Sequence, residues 1–103
     1  MDKYSEGDEP IPGYRLVELV GMDGLGFVWK ATGPGASEFS IKIVGPIETA
    51  RVSQALHMVR RDGPVDAIWL LTEDGAIRQE IQVLDANARY TLVVASKVPR
   101  PRE

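Results

Sequence analysis

Glycine and proline clusters divide the 103-residue chain into short segments, and this division is the feature that most limits the folds open to it. Before Pro46 the segments are short and alternate between apolar and polar residues, as half-buried strands do. After Pro46 apolar residues recur at spacings of three and four, as on one face of a helix. Because the two periods occupy separate stretches, the sequence predicts an α+β domain.

Three consecutive segments are predicted to be strands, and they cover residues 14–20, 27–31 and 39–44. Glycines at 21, 24 and 26 separate the first two segments, and the sequence Gly-Pro-Gly-Ala-Ser at 33–37 separates the second from the third. Short connections with this turn chemistry join antiparallel neighbours. An antiparallel meander is therefore predicted for the first half of the chain.

One amphipathic helix of about three to four turns is predicted between Pro46 and Gly63. Its apolar positions are Ile47, Ala50, Val52, Ala55, Leu56, Met58 and Val59. A hairpin is predicted over residues 67–84, with its turn at 73–75, and a last strand over 90–95. The expected architecture is an antiparallel sheet of about five strands with one packed helix and this extra hairpin.

The composition along the chain predicts one domain between two terminal segments. Residues 1–13 are expected to form a flexible acidic lead-in, and residues 14–96 are expected to form the domain. Residues 97–103, which contain two prolines and two arginines, are expected to form an extended tail. A chain of 103 residues is too short for a two-lobed enzyme with a cleft between its lobes.

Charge and composition narrow the classes of ligand and compartment. The chain has 12 Lys and Arg against 15 Asp and Glu, and its longest basic block is Arg60-Arg61, so nucleic acid is not expected as a partner. With no cysteine and a single histidine, no metal site is expected. The N-terminus is acidic and no apolar stretch approaches about 18 residues, so we expect a cytoplasmic protein without membrane association.

The order of strand, glycine-rich turn, strand, tight turn and lysine-bearing strand resembles the N-terminal lobe of bacterial Ser/Thr protein kinases. The glycine-rich loop corresponds to residues 21–28, with the sequence Gly-Met-Asp-Gly-Leu-Gly-Phe-Val. The lysine strand corresponds to Ser40-Ile41-Lys42, and residues 12–16 and 28–31 add to the likeness. The resemblance is specific over residues 12–44 and weakens along the helix.

This resemblance implies ATP as a cofactor. Backbone N–H groups of the glycine-rich loop would contact phosphate oxygens, and the lysine ammonium would contact the first two phosphates. The valine would pack on the adenine, and the serine would lie beside the purine. The implied cofactor-binding residues are Gly21, Gly24, Gly26, Val28, Ser40 and Lys42.

Several departures from the family pattern weaken that implication. Asp23 brings a negative charge to the position of the loop's second glycine, and Gln54 stands near the expected helix glutamate. If Ser96 takes the gatekeeper position, Pro99 offers no backbone N–H to the adenine. No His-Arg-Asp or Asp-Phe-Gly motif occurs in the 103 residues, so no catalytic residue is assigned.

Two functions are therefore expected as alternatives. The first is a catalytically inactive, kinase-N-lobe-like regulatory or protein-interaction module that pairs with itself or with another protein. The second is an ATP-binding lobe whose C-lobe is supplied by another chain or is missing from this one. The residues also permit structural roles: the glycines as turn formers, Lys42 as a solvent-facing strand residue and His57 as a helix-surface residue.

Overall fold

The computed structural model describes residues 4–22, 26–78 and 85–98. Within these residues one helix packs on a single antiparallel sheet, so the predicted α+β class is confirmed. The six strands lie in the order β1-β2-β3-β6-β4-β5. Their bounds are β1 Arg15–Met22, β2 Phe27–Thr32, β3 Glu38–Glu48, β4 Ala67–Leu71, β5 Ile77–Arg78 and β6 Arg89–Lys97, and the helix α1 is Thr49–Asp62.

The path of the chain puts its last strand near the middle of the sheet. β1, β2 and β3 form the predicted meander, and α1 then carries the chain from β3 past β6 to β4. β6 pairs with β3 on one side and with β4 on the other. The predicted hairpin is present as β4 and β5, and its remaining residues, 79–84, lie outside the described part of the chain.

β3 is longer than the sequence predicts, and α1 begins later. The turn chemistry of Gly45-Pro46 predicts the end of a strand and the start of a helix, but β3 continues to Glu48. An irregularity in the pairing between Val44 and Ile47 accommodates Gly45 and Pro46, after which Ile47 pairs with Tyr90. The placement of Ile47 on the helix was therefore wrong, because this residue belongs to the strand.

The sheet is apolar on both faces, since alternate residues of its strands enter two separate core clusters. The first cluster comprises Ile11, Leu16, Trp29, Ala31, Phe39, Ile41, Ile43, Leu71, Val93 and Ala95. The second comprises Val44, Val52, Ala55, Leu56, Val59, Leu70, Tyr90, Leu92 and Val94. The second cluster contains the buried residues of α1, so the helix covers that face.

The N-terminal residues cover the other face. Ile11 is 3% exposed and belongs to the first cluster. The N–H of Gly7 donates to the carbonyl of Leu16 at 2.7 Å, and the N–H of Leu16 donates to the carbonyl of Asp8 at 2.8 Å. The packed part of the chain therefore begins before residue 14, within the segment predicted as the lead-in.

The C-terminal end of the domain also lies beyond its predicted limit. β6 continues to Lys97, and the N–H of Val98 donates to the carbonyl of Glu38 at 2.9 Å. Residues 99–103 of the predicted tail lie outside the described residues. Lys97 thus belongs to the sheet, and Val98 is hydrogen-bonded to its neighbouring strand.

α1 packs on the sheet through a narrow stripe of four residues, Val52, Ala55, Leu56 and Val59. These positions follow the spacing of one helix face. Ala50 and Met58 belong to the predicted apolar set, but both are exposed because they lie away from this stripe. His57 is exposed as predicted. No helix in the described part of the chain is long and apolar enough to cross a membrane.

Candidate functional site

Four of the predicted cofactor-binding residues lie together on the face of the sheet that α1 covers in part. Gly21 on β1 pairs with Val28 on β2, and Val28 pairs with Lys42 on β3. Ser40 precedes Lys42 by two residues, so it lies on the same face. Gly24 lies outside the described residues. The alternation of the strands thus produces a row across three strands.

A cleft of about 260 Å³ opens between the sheet and the C-terminal end of α1. Ser40 and Lys42 line it from β3, and its remaining lining residues are Val59, Asp62, Gly63, Pro64, Val65, Val94 and Ser96. Three valines make part of its wall apolar, and hydroxyl and charged groups form the polar part of the lining. Gly21, Gly26 and Val28 are not among its lining residues.

Lys42 forms an ion pair with Asp62, the last residue of α1. The Nζ–Oδ2 distance is 3.3 Å, and the side chains are 17% and 59% exposed, respectively. The C-terminal end of a helix carries a partial negative charge, so the ammonium is stabilised by the helix end as well as by the carboxylate. This environment satisfies Lys42 without any ligand.

Asp62 was not predicted as the partner of Lys42, because the family pattern places that partner, a glutamate, near the middle of the helix. Gln54, the residue at that place, is exposed. A signal was available, since Asp62 is the only acidic residue between Thr49 and the end of α1. Lys42 and Asp62 are 20 positions apart in the sequence, and only the packing of α1 on β3 brings them together.

The loop that follows α1 is fixed to β6 and forms one wall of the cleft. The hydroxyl of Ser96 donates to the carbonyl of Pro64 at 3.0 Å. The N–H of Asp66 donates to the carbonyl of Ala95 at 2.9 Å, and the Asp66 carboxylate accepts from the N–H of Lys97. These bonds hold residues 63–66 beside the strand that lines the cleft.

Two glycines of the predicted loop differ in their surroundings. A Cβ atom on Gly26 would lie 2.1 Å from the carbonyl oxygen of Ile43, far inside van der Waals contact. A Cβ atom on Gly21 would meet nothing within 4 Å. Close packing against β3 therefore explains the glycine at position 26, whereas the space around position 21 is open.

An exposed apolar strip lies along β1, at one edge of the sheet. Its members are Val17, Leu19, Val20 and Met22, which are 43%, 42%, 66% and 71% exposed. Leu19 pairs with Trp29, and Met22 pairs with Phe27, so both continue the face of the first core cluster. The N-terminal residues cover Leu16 but leave these four side chains in solvent. We call these four residues the β1 strip.

Comparison of the chain with protein-family models, with curated proteins and with solved structures gave no significant match. The features of the chain that bear on its function are therefore the β1 strip and the cleft beside Lys42.

Proposed function

We propose that the chain is a catalytically inactive, protein-kinase-N-lobe-like module that acts as a regulatory or protein-interaction domain. The order of its elements supports the proposal: a three-stranded meander, a helix after the lysine strand, and a last strand placed beside that lysine strand. The resemblance over residues 12–44 implies the meander, and an N-lobe fold would add the helix and the last strand in these places. The 103 residues hold no catalytic-loop or metal-binding motif of the kinase family.

The β1 strip is the observation that carries the interaction function. Small soluble domains expose single apolar side chains routinely, but a contiguous row marks a contact surface. On β1, four large apolar residues are exposed within six positions: Leu19 and Met22 lie on the face of the first core cluster, and Val17 and Val20 lie at the two irregularities in the pairing with β2. Such a concentration on one edge strand exceeds the scattered single residues of an ordinary surface. An edge strand also offers main-chain groups to a partner, which adds directional bonds to the apolar contact.

The charge around the cleft supports the absence of nucleotide chemistry. A triphosphate placed at Lys42 would face the carboxylate of Asp62 and the negative end of α1. Both repel phosphate, and the net charge of −3 adds to the repulsion. This electrostatic repulsion favours the interaction module over a nucleotide-binding lobe.

The double substitution Leu19→Ser and Met22→Ser tests the proposal by removing most of the apolar area of the β1 strip without touching the core clusters. Immobilised wild-type chain, incubated with an extract of its own cells, is expected to retain a specific protein that the double variant loses. The matched control is Ile77→Ser, which changes an exposed apolar residue elsewhere and should retain that protein. The proposal fails if the β1 variant and the wild type retain the same proteins.

The second candidate is the ATP-binding lobe of a Ser/Thr protein kinase, with the C-lobe supplied by another chain or missing from this one. The specific observation that favours it is the row of Gly21, Val28 and Lys42, with Ser40 on the same face. Titration with ATP and Mg²⁺ separates the two functions, because only the second requires nucleotide binding at Lys42.

A further inference from the structure

The outer face of α1 is basic. Arg51, Arg60 and Arg61 are exposed, and the helix has one acidic residue, Asp62, which pairs with Lys42. No ion pair joins any of the three arginines to another described residue. An α-helix has about 3.6 residues per turn, so Arg51, Met58 and Arg61 lie on one side of α1, whereas Arg60 lies about half a turn away from Arg51. Met58 is 39% exposed. One side of the helix therefore presents two guanidinium groups and an exposed methionine, in a chain whose net charge is −3.

The opposite side of the molecule carries acidic and aromatic residues. Glu6, Asp8 and Glu9 are exposed on the N-terminal residues that cover the first core cluster. Two half-buried tyrosines, Tyr4 and Tyr14, pack against the same cluster. Carboxylates and aromatic rings are both preferred neighbours of arginine, the first through charge-assisted hydrogen bonds and the second through cation–π contact.

These two faces cannot meet within one molecule, because the sheet lies between them. α1 packs on the second core cluster, and the N-terminal residues pack on the first. No ion pair joins an arginine of α1 to a carboxylate of the N-terminal face within the described residues. Their complementarity is therefore available only to another molecule.

We propose that the occupant of the outer face of α1 is the N-terminal face of a second copy of this chain. Because the two faces differ and lie on opposite sides, the contact is head-to-tail, and it leaves one free face of each kind on every pair. Association then continues beyond a dimer as the protein concentration rises. This inference goes beyond the proposed function, since it concerns different surfaces from the β1 strip and a different partner.

The association between copies is expected to weaken as the ionic strength rises. Single exposed ion pairs contribute little, so several must act together with Met58 and the tyrosines. Raising NaCl from about 50 mM to about 500 mM shortens the Debye length from about 14 Å to about 4 Å. This screening weakens contacts between exposed charges more than it weakens apolar contacts. We expect the association constant to fall at least about tenfold across that range.

Charge reversal tests the inference by sedimentation equilibrium on the full chain, up to about 1 mM protein. One variant carries Arg51→Glu and Arg61→Glu, and the other carries Glu6→Lys and Glu9→Lys. Each variant alone has two faces of like charge and is expected to be monomeric. An equimolar mixture restores opposite charges at every contact, so it is expected to recover the mass distribution of the wild type.

The matched control is Glu38→Lys with Glu73→Lys, which reverses two exposed carboxylates elsewhere and should associate like the wild type. Urea unfolding of each variant verifies that it is folded, and recovery in the mixture shows that neither variant has lost its fold.

The inference is overturned if the wild type remains monomeric at low salt, or if the mixture does not recover association. A dimer that resists salt and disappears with Leu19→Ser and Met22→Ser also overturns it, because the β1 strip then holds the copies together. Loss of partner capture by that double variant bears only on the proposed function, so the two proposals fail separately.

Discussion

At the residue scale, Gly26 connects the predicted loop to the packing of the sheet. It directly precedes β2, and its missing side chain allows close approach to the main chain of β3 at Ile43. Since the contact is with backbone atoms, the neighbour cannot move aside as a flexible side chain would. The requirement for glycine at this position is therefore steric.

Replacing Gly26 by Ala is expected to lower the free energy of unfolding by about 1–3 kcal/mol, the usual cost of forcing an extra carbon into a packed site. The control is Gly21→Ala near the end of β1, where the added carbon meets open space and the cost should stay below about 0.5 kcal/mol. Urea denaturation followed by tryptophan fluorescence measures both. Equal stability of the two variants would contradict the steric explanation.

Individual residues differed in how far their positions could be predicted. The residues flanking Lys42 on its own strand followed from alternation, which places Ser40 on the same face as Lys42. The partnership of Lys42 with Asp62 did not follow, because it depends on where α1 ends over the sheet. The exposed residues of the β1 strip were also missed, since alternation predicts which side chains share a face but not what covers that face.

At the scale of elements, α1 is held to the sheet by a stripe of four buried side chains. Leu56 is the largest of them and is 4% exposed, whereas Met58, two positions later, is 39% exposed. The two residues have similar volume and hydrophobicity, so they form a matched pair that differs in burial. Their comparison measures how much the stability depends on helix packing.

Leu56→Ala is expected to lower the free energy of unfolding by about 2–4 kcal/mol, because it removes buried carbon atoms and leaves a cavity under the helix. Met58→Ala should lower it by less than about 1 kcal/mol. Thermal and urea unfolding, followed by far-ultraviolet circular dichroism, give both values. Similar losses for the two variants would show that α1 does not pack as described.

The boundary between β3 and α1 shows why element limits were predicted less well than element types. A proline at the first turn is a common helix start, and glycine beside it is a common strand end. The same dipeptide also suits an irregularity inside a strand, because proline lacks the N–H that a regular ladder uses. Local chemistry permits both, and the pairing of Ile47 with Tyr90 decides for the strand.

At the scale of the whole molecule, the strand order required information that periodicity does not contain. The pattern over residues 90–95 predicts a strand but not its place between β3 and β4. The N-terminal residues are a second example: acidic and proline-rich composition predicts a flexible lead-in, yet Ile11 anchors them to the first core cluster. Tyr4 also packs against this cluster, and main-chain hydrogen bonds join Gly7 and Asp8 to Leu16, so the segment is part of the packed domain.

The fold as a whole separates three surfaces: the β1 strip at one edge, the basic outer face of α1, and the acidic N-terminal face. The cleft beside Lys42 lies between the helix end and the sheet, away from the β1 strip. The central claim is that this molecule works through its surfaces and not through nucleotide bound at the cleft. The ammonium of Lys42 is the group on which the two alternatives differ most.

Isothermal titration of the full chain with ATP and Mg²⁺ tests that claim most directly. Because Asp62 and the end of α1 oppose phosphate at Lys42, the wild type is expected to give no saturable heat. Lys42→Ala and the matched exposed-lysine variant Lys97→Ala should behave identically to the wild type. Saturable heat in the wild type that persists in Lys97→Ala and vanishes in Lys42→Ala would contradict the claim and establish the nucleotide-binding lobe instead.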